Sequence, residues 1–349
     1  MSSQVASGPD PHAAPIEPDL AVPDAVHPSR LFDLGERYGL VVLFILVFVF
    51  FTFWGKTSAL FFTHANIIAT VGSQMIVLLI AAAAMLPLTA RQFDLSPGAV
   101  AGASSIVCAA TMANFHGPPF LAIILGVATG VLLGAFNGIL IARYKLSAVI
   151  TTLAMSTALT GVMEWYTGGG TITNNISSGL TSFGSLNWLG IPRLLYLVFP
   201  VMVVLWFLLE WTPFGRYVQA ISSNERAARL VGLHVDRVTA STFILGGFLA
   251  GLAGVLIVAR VGDGDATTGP SYLFPALAAV FLGATTIRPG RPNTLGTVIG
   301  VFFVAESVSG LSLAGASSWI SDLFNGIVLF AAAGLSTYFA RQRGGARIF

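Results

Sequence analysis

The stretch "QAISSNERAARLVGLHVDR", from Gln219 to Arg237, is a compact polar segment between long apolar runs. It holds five charged side chains in a chain of which only 9% is charged and 55% is hydrophobic. A soluble domain carries roughly 25% charged residues, so charge this sparse does not suffice for a water-facing surface. The composition indicates a protein that lies in lipid, with this stretch as a polar connection between membrane-spanning helices.

The chain contains ten apolar stretches that are long enough to cross a bilayer as a helix, which takes about 20 residues or somewhat fewer. They are residues 38–55, 66–88, 97–113, 118–142, 147–166, 194–211, 238–258, 271–287, 294–312 and 318–340. The sequence therefore predicts an all-α polytopic membrane protein with about ten transmembrane helices. The third, fifth, eighth and ninth stretches are rich in small residues and are expected inside the protein, whereas the bulky first and sixth are expected to face lipid.

The distribution of basic residues predicts the orientation of these spans. With both termini in the cytoplasm, inner segments hold 14 of the 17 Lys and Arg residues and outer segments hold only Lys56, Arg193 and Arg260. This asymmetry agrees with the positive-inside rule. Residues 1–36 are rich in Pro, Ala and acid and are expected to be a disordered cytoplasmic tail. The membrane domain is expected over 37–340, with an outer loop at 167–193 that carries a short surface helix, and a cytoplasmic tail at 341–349.

The polar stretch reads as a short cytoplasmic helix. Ser223 or Asn224 is suited to cap its start, Glu225 and Arg229 stand four residues apart, and Gly232 can end it in the left-handed conformation. Its small apolar stripe consists of Ala227, Leu230 and Val231. A two-turn helix is not stable alone in water, so it needs a partner surface. That partner is either another protein or, in the alternative interpretation, the bilayer surface or the chain's own loops.

Polar and ionisable groups in or beside the spans are candidates for a solute path, because such groups are costly in lipid and usually face a cavity or a partner. The candidates are Gln74, Asp94, Thr151, Trp165 and Glu306. Each also has a structural interpretation. Asp94 is placed to cap a helix that starts at Pro97, Trp165 is suited to anchor a span at the membrane interface, and Glu306 is suited to an interface with a second copy.

The sequence offers little support for a metal site, an enzyme active site, a phosphate loop or a nucleic-acid-binding surface. The five His residues are scattered, the only cysteine is Cys108, and no set of His, Asp and Cys converges, which argues against a metal site and against a membrane-embedded enzyme. The segment Gly55-Lys56-Thr57 is not a phosphate loop, because Phe50 stands where such a loop needs glycine. A net charge of +2 provides no basic field for nucleic acid.

Four motifs, in this order, resemble the membrane subunits of ribose-type ABC importers, which carry ribose, xylose, arabinose and related solutes. They are "FDLSPGAVAG" at Phe93–Gly102, the segment Gly215–Leu233, "GGFLAGLAGVLIVARVG" at Gly246–Gly262, and "LFPALAAVFLGATTIRPGRPNTLGTVIG" at Leu273–Gly300. The similarity extends over about residues 40–340. It implies the permease fold of that family and a coupling segment at 213–237. The coupling residues it implies are Gly215, Arg216, Asn224, Glu225, Arg226, Ala227, Ala228 and Gly232.

The resemblance also implies partners. Two ATPase subunits would bind ATP and Mg²⁺ and hydrolyse the nucleotide, a solute-binding protein would deliver a monosaccharide or polyol, and a second permease copy would complete a homodimer in the bacterial inner membrane. This chain itself would need no cofactor. Two alternatives stay open: a permease of the same superfamily for branched-chain amino acids, nucleosides or a quorum signal, and an ion-coupled secondary transporter that uses Glu306.

Overall fold

The computed structural model describes residues 30–342, and over this range the chain is almost entirely helical. The long helices are α1 (Arg30–Phe53), α2 (His64–Thr89), α3 (Pro97–Ala113), α4 (Pro119–Ala142), α5 (Ala148–Thr167), α7 (Arg193–Trp211), α10 (Val235–Val261), α13 (Thr294–Leu313) and α14 (Trp319–Gln342). The short ones are α6 (Ser178–Ser185), α8 (Pro213–Ser223), α9 (Glu225–Leu230), α11 (Thr268–Ser271) and α12 (Leu273–Gly283). Strands β1 (Asn187–Trp188) and β2 (Ile191–Pro192) form an antiparallel hairpin.

Five of these helices, α2, α4, α7, α10 and α13, are long and apolar enough to cross a membrane. Shorter apolar segments accompany them at Arg37–Phe53, Pro97–Ala113, Thr268–Gly283 and Trp319–Leu335. The all-α polytopic fold expected from the sequence is confirmed. Each of the ten apolar stretches overlaps a helix of the structure.

The core forms around α2 and α10, the two most buried of the five helices that are long and apolar enough to cross a membrane. Large side chains such as Met75, Leu79 and Ile257 are fully enclosed there. The helix α4 packs on α10 with almost no side chain between the backbones: a Cβ atom built at Gly130 would lie 2.6 Å from the Gly251 backbone nitrogen. Small residues allow this approach, and close backbone packing is the main source of helix association in lipid.

The prediction that the eighth stretch forms one span over 271–287 is wrong in its extent. The helix α12 ends at Gly283, after 11 residues, and the chain then folds back as a loop. The backbone N–H of Ile287 and the hydroxyl of Thr286 both donate to the carbonyl of Arg37. Pro289 and Pro292 lack the backbone N–H that a helix would use, so the helix does not resume in this loop.

The expectation of a buried fifth stretch is also wrong for the single chain. Only Ala148, Thr152 and Met163 of α5 are buried among the described residues, whereas α3 is buried along nearly its whole length. Bulky side chains of α1 and α7, such as Phe53 and Val204, lie on the surface as expected for lipid contact.

The borders of the domain differ slightly from expectation at both ends. The first helix begins at Arg30, inside the segment 1–36 that was expected to be a tail, and residues 1–29 lie outside the described part of the chain. The last helix reaches Gln342, and residues 343–349 of the expected second tail also lie outside it. The loop at 167–193 carries the short helix expected there, α6, followed by the β1–β2 hairpin.

Candidate functional site

The polar stretch folds into two short helices with a defined break between them. Asn224 ends α8 and starts α9, and its backbone is extended, with φ −156° and ψ 100°. Its side-chain Oδ1 accepts a hydrogen bond of 3.0 Å from the backbone N–H of Ala227, which is the N-cap arrangement. Gly232 follows α9 with φ +86°, a left-handed conformation that favours glycine.

Ion pairing within α9 also follows the sequence. The guanidinium of Arg229 donates to Glu225 Oε1 at 2.9 Å, four residues away on the same helix face. The hydrogen bonds that Arg229 donates to Asp236 and to Glu225 raise the pKa of its guanidinium above the ordinary value. Arg226 lies on the exposed side of the helix.

The helix α9 buries a single side chain, that of Ala228, and leaves its apolar side uncovered. Ala228 is buried in a cluster with Ile221 and Val235. Leu230 is 88% exposed and Val231 is 78% exposed. Ala227 is exposed as well, so the whole apolar stripe expected from the sequence faces outward. The uncovered apolar side of a short amphipathic helix can bind a groove of another protein or the bilayer surface.

The turn before α8 fixes the direction in which this segment leaves the membrane domain. Gly215 packs so closely on the end of α7 that a Cβ there would overlap the carbonyl of Leu209. Pro213 starts α8 in a first-turn position that needs no N–H. Arg216 is exposed one residue further on. The eight expected coupling residues therefore lie along one continuous segment, from α8 through α9 to the turn at Gly232.

The five candidate path residues are not brought into one site. Thr151 and Trp165 lie 14 residues apart on α5, about 21 Å along the helix. The helix α5 packs chiefly on α3 and α4, whereas α13, which carries Glu306, packs on α1, α2 and α12. Gln74 lies on α2, partly buried, with its amide 3.5 Å from the hydroxyl of Ser73.

Asp94 is engaged within the loop between α2 and α3. Its Oδ1 accepts from the backbone N–H of Ser96 at 2.8 Å and from the Ser96 hydroxyl at 2.7 Å. Asn137 of α4 donates to that hydroxyl at 3.0 Å. Thr152 of α5 accepts from the backbone N–H of Leu95 at 3.0 Å. Asp94 thus shapes the turn that leads into α3, and Ser96 rather than Asp94 stands at the cap position.

Glu306 and Trp165 have opposite surroundings. Glu306 is only 5% exposed, and its Oε2 has no hydrogen-bond partner among the described residues. Trp165 is highly exposed and lines an apolar cavity of about 510 Å³ between α3, α4 and α5. A cavity with so few polar groups offers little to the hydroxyls of a sugar.

A cluster of charged residues at the end of α10 was not among the candidates identified from the sequence. The guanidinium of Arg260 donates to the carbonyl of Gly184 in α6 at 3.3 Å and lies beside Gly72 of α2. Asp265 Oδ1 accepts from the backbone N–H groups of Thr267 at 2.9 Å and Thr268 at 2.6 Å. The signal was present as "RVGDGD", three charges within six residues of a nearly uncharged chain.

The two carboxyl groups of this segment have pKa values displaced in opposite directions. Burial raises the pKa of Asp263, and the negative charge of Asp265 raises it further. Burial also acts to raise the pKa of Asp265, but hydrogen bonds from Thr268 and Thr267 outweigh it and lower this pKa. The segment between α10 and α11 therefore holds one carboxylate that is firmly ionised and one that takes up a proton more easily.

Comparisons with known proteins agree with this architecture. Residues 66–333 match the family described as branched-chain amino acid transport system / permease component. The ribose import permease protein RbsC of Bacillus subtilis is 37% identical over 300 residues, covering 86% of this chain and 91% of the relative. The L-arabinose ABC transporter permease protein AraH of Azospirillum brasilense is 29% identical over 342 residues, covering 97% and 98%.

A further relative carries a different solute name. The autoinducer 2 import system permease protein LsrC of Klebsiella pneumoniae is 31% identical over 297 residues, covering 85% of this chain and 84% of the relative. No solved structure matches the chain.

The apolar helices and the family match define a polytopic membrane permease, a transport subunit of the multi-pass inner-membrane class. More particularly, the chain belongs to the family of monosaccharide-type ABC importer permeases, with the ribose and arabinose import permeases as relatives. The resemblance drawn from the four motifs is confirmed. A permease component of such an import system works with an ATPase and a solute-binding protein.

Proposed function

We propose that this chain forms the translocation path for a neutral monosaccharide or related polyol, and that it performs no covalent chemistry of its own. The observation that carries the proposal is the exposed apolar surface of α9 in a chain whose relatives are import permeases. The names of those relatives include ribose and arabinose, and these sugars indicate the class of solute. ATP and Mg²⁺ would be bound by the ATPase partner alone.

The coupling part of the proposal rests on α8 and α9. The capped helix α9 would enter a groove of the ATPase, with Ala227, Leu230 and Val231 as the contact surface. Gly215 and Gly232 would fix the direction of the segment at its two ends, and Ala228 would seat it on the membrane domain. Arg216, Glu225 and Arg226 would contribute the polar rim, since interfaces of this kind surround an apolar centre with charged groups.

The path part of the proposal rests on α5. Its exposed residues include Ala154, Thr157, Ala158 and Gly161, small or hydroxyl-bearing side chains that are poorly suited to a purely lipid-facing surface. We infer that a second copy of the chain faces α5 and that the solute passes between the copies. Thr151 of α5 remains the candidate for a contact along this path, and Gln74 of α2 and Glu306 of α13 remain candidates elsewhere in the membrane domain. Asp94 and Trp165 are better explained by loop structure and interfacial anchoring.

The proposed orientation places both termini and the α8–α9 segment in the cytoplasm of a bacterial cell, with the loop at 167–193 outside. Its support is the distribution of Lys and Arg over the connections. The surface-exposed bulky side chains of α1 and α7 would contact lipid.

Uptake of radiolabelled solutes by cells that express the intact transporter tests the proposal. We expect ribose, arabinose, xylose or galactose to accumulate, and accumulation to stop when an inactive ATPase subunit replaces the active one. Uptake that continues with the inactive ATPase but stops when the ion gradients collapse would contradict the proposal and favour a secondary transporter.

A second candidate solute is a quorum signal, because the autoinducer 2 permease is as similar to this chain as several of the ribose permeases are. The same assay distinguishes the two. ATP-dependent uptake of autoinducer 2 without sugar uptake would assign the chain to that class, and uptake of branched-chain amino acids alone would assign it to the class named in the family description.

A further inference from the structure

Four charged side chains from three separate segments meet beside α9. Asp236, in the first turn of α10, has its Oδ1 2.5 Å from the Nζ of Lys145 and 2.5 Å from a guanidinium nitrogen of Arg229. Arg229 in turn pairs with Glu225 at 2.9 Å. Lys145 belongs to the connection between α4 and α5, far away along the chain. One carboxylate therefore bridges α9 to the connection that leads into α5.

Lys145 lies close to the start of α5 along the chain. Its backbone is left-handed, with φ +58°, and it stands three residues before Ala148, the first residue of α5. Ala148 is buried in a cluster with Ile141 of α4 and Phe243 of α10. The bridge therefore ends three residues from the buried start of α5.

The other end of the bridge is equally well placed. Arg229 lies on α9, one residue after the buried Ala228 that seats this helix. Leu233 donates its backbone N–H to the Ala228 carbonyl at 3.0 Å, which holds the short turn between α9 and α10. The covalent route from α9 leads into α10, whose Phe243 shares a buried cluster with Ala148 at the start of α5.

We propose that Asp236 is a positioning residue that couples α9 to α5, so that a displacement of α9 by the ATPase moves the wall of the solute path. This inference rests on the proposed function, in that α9 is the ATPase contact and α5 borders the path. All four side chains are 40–54% exposed. Ion pairs this exposed contribute little to folding stability, so the network can be removed without loss of the fold.

The test compares Lys145→Ala, Asp236→Asn and the double variant in the intact transporter, reconstituted in liposomes with its ATPase and binding protein. The measured quantity is solute imported per ATP hydrolysed. We expect each single variant to lower this ratio about five-fold or more, the lower end of typical coupling between sites. The double variant should be no worse than either single variant, because both remove the same bridge.

Two variants control for other effects. Lys145→Arg keeps the charge and should retain most of the wild-type ratio. Asp322→Asn removes an acid from the first turn of α14, where it has no ion pair within residues 30–342, and should leave the ratio unchanged. Asp236 and Asp322 both lie in the first turn of a helix, where an acid interacts favourably with the helix dipole. The Asp322 control therefore separates loss of that interaction from loss of the bridge.

A wild-type ratio in Asp236→Asn, or strictly additive losses in the double variant, would overturn the inference. If a single variant does not assemble, the wild-type transporter at high salt replaces it, because salt screens the ion pairs of the bridge. The ratio of solute imported to ATP hydrolysed should then fall in the wild type and in an assembled Lys145→Arg variant alike. An unchanged ratio at high salt would also overturn the inference. Co-purification of the ATPase separates the two proposals. If the ATPase fails to bind the wild type through α9, the proposed function falls; if it binds and the variants stay coupled, only the role of Asp236 falls.

Discussion

Single residues decide whether α9 can act as a rigid projection. Asn224 interrupts the helical path between α8 and α9 and caps the second helix, while Gly232 permits the left-handed turn that ends it. Six helical residues provide too few internal hydrogen bonds for independent stability. The caps at both ends therefore carry a large share of the order in this segment.

Replacing Asn224 with Ala removes the hydrogen bond to the Ala227 N–H and should cost about 1 kcal/mol of local stability. We expect faster hydrogen exchange over 225–231 and reduced solute uptake, measured on the assembled transporter. Asn224→Asp retains a capping oxygen and should behave like the wild type. Ser223→Ala, which loses only a bond to the Gln219 carbonyl in the preceding turn, serves as the neighbouring control. Equal exchange in all three variants would argue against the cap.

Asp265 makes stability depend on pH. Its folded-state pKa is lowered, so its contribution is present above the unfolded-state pKa, near 3.8, and is lost as pH falls through the lower folded value. We expect Asp265→Ala to cost about 1 kcal/mol at pH 7 through the lost hydrogen bonds. The difference in melting temperature between variant and wild type should shrink as the pH approaches 3. A difference that stays constant down to pH 3 would contradict this assignment.

At the scale of elements, close helix packing explains what holds the domain together. The helices α4 and α10 meet through glycines on both sides, with Gly130 and Gly134 of α4 against Gly247 and Gly251 of α10. Lipid provides no hydrophobic force that would draw these helices together, so backbone proximity and packing must do so.

Gly247→Ala tests this packing. The added methyl group would overlap the backbone of α4 at Gly130 and Gly134, and we expect a marked loss of folded protein in detergent, at least 1–3 kcal/mol by analogy with overpacked cores. Gly326→Ala on α14 is the matched control, because nothing lies within 4 Å of its added methyl group. It should be neutral or slightly stabilising, since alanine favours helix. Comparable losses in both variants would contradict the packing argument.

Local features of the elements were predictable from the sequence, and long-range ones were not. The cap at Asn224, the Glu225–Arg229 pair and the turn at Gly232 depend on residues within a few positions of each other. The break after Gly283 was missed because apolar composition continues past it, while the loop is held by the distant Arg37 carbonyl. The exposure of α5 was missed because small residues indicate a close partner without saying whether it belongs to the same chain.

The candidate site shows the same division. The eight proposed coupling residues lie within one short stretch, so the sequence was enough to group them. The path candidates come from four separate elements, and no pattern in the sequence states which of those elements meet. In the bridge from Arg229 through Asp236 to Lys145, Asp236 and Lys145 are 91 residues apart, whereas Arg229 and Asp236 face each other across a short turn. Only the folded arrangement reveals this bridge.

At the scale of the whole molecule, the account requires α8–α9 and the loop at 167–193 to lie on opposite sides of the membrane. Cysteines introduced at Val231 and Leu189, each in a Cys108→Ala background, test this. Both positions are highly exposed. A membrane-impermeant thiol reagent added to intact cells should label the cysteine at Leu189 and should label the one at Val231 only after the membrane is opened. The reverse pattern would contradict the proposed orientation.

If α9 receives the movement of the ATPase, its apolar side must touch that subunit in the assembled transporter. A photoreactive amino acid at Leu230, the most exposed apolar residue of α9, probes this contact. We expect a cross-link to the ATPase subunit from Leu230 and none from the same amino acid placed at Leu189. Cross-links from Leu230 only to lipid or to this chain itself, with the ATPase present and active, would contradict it.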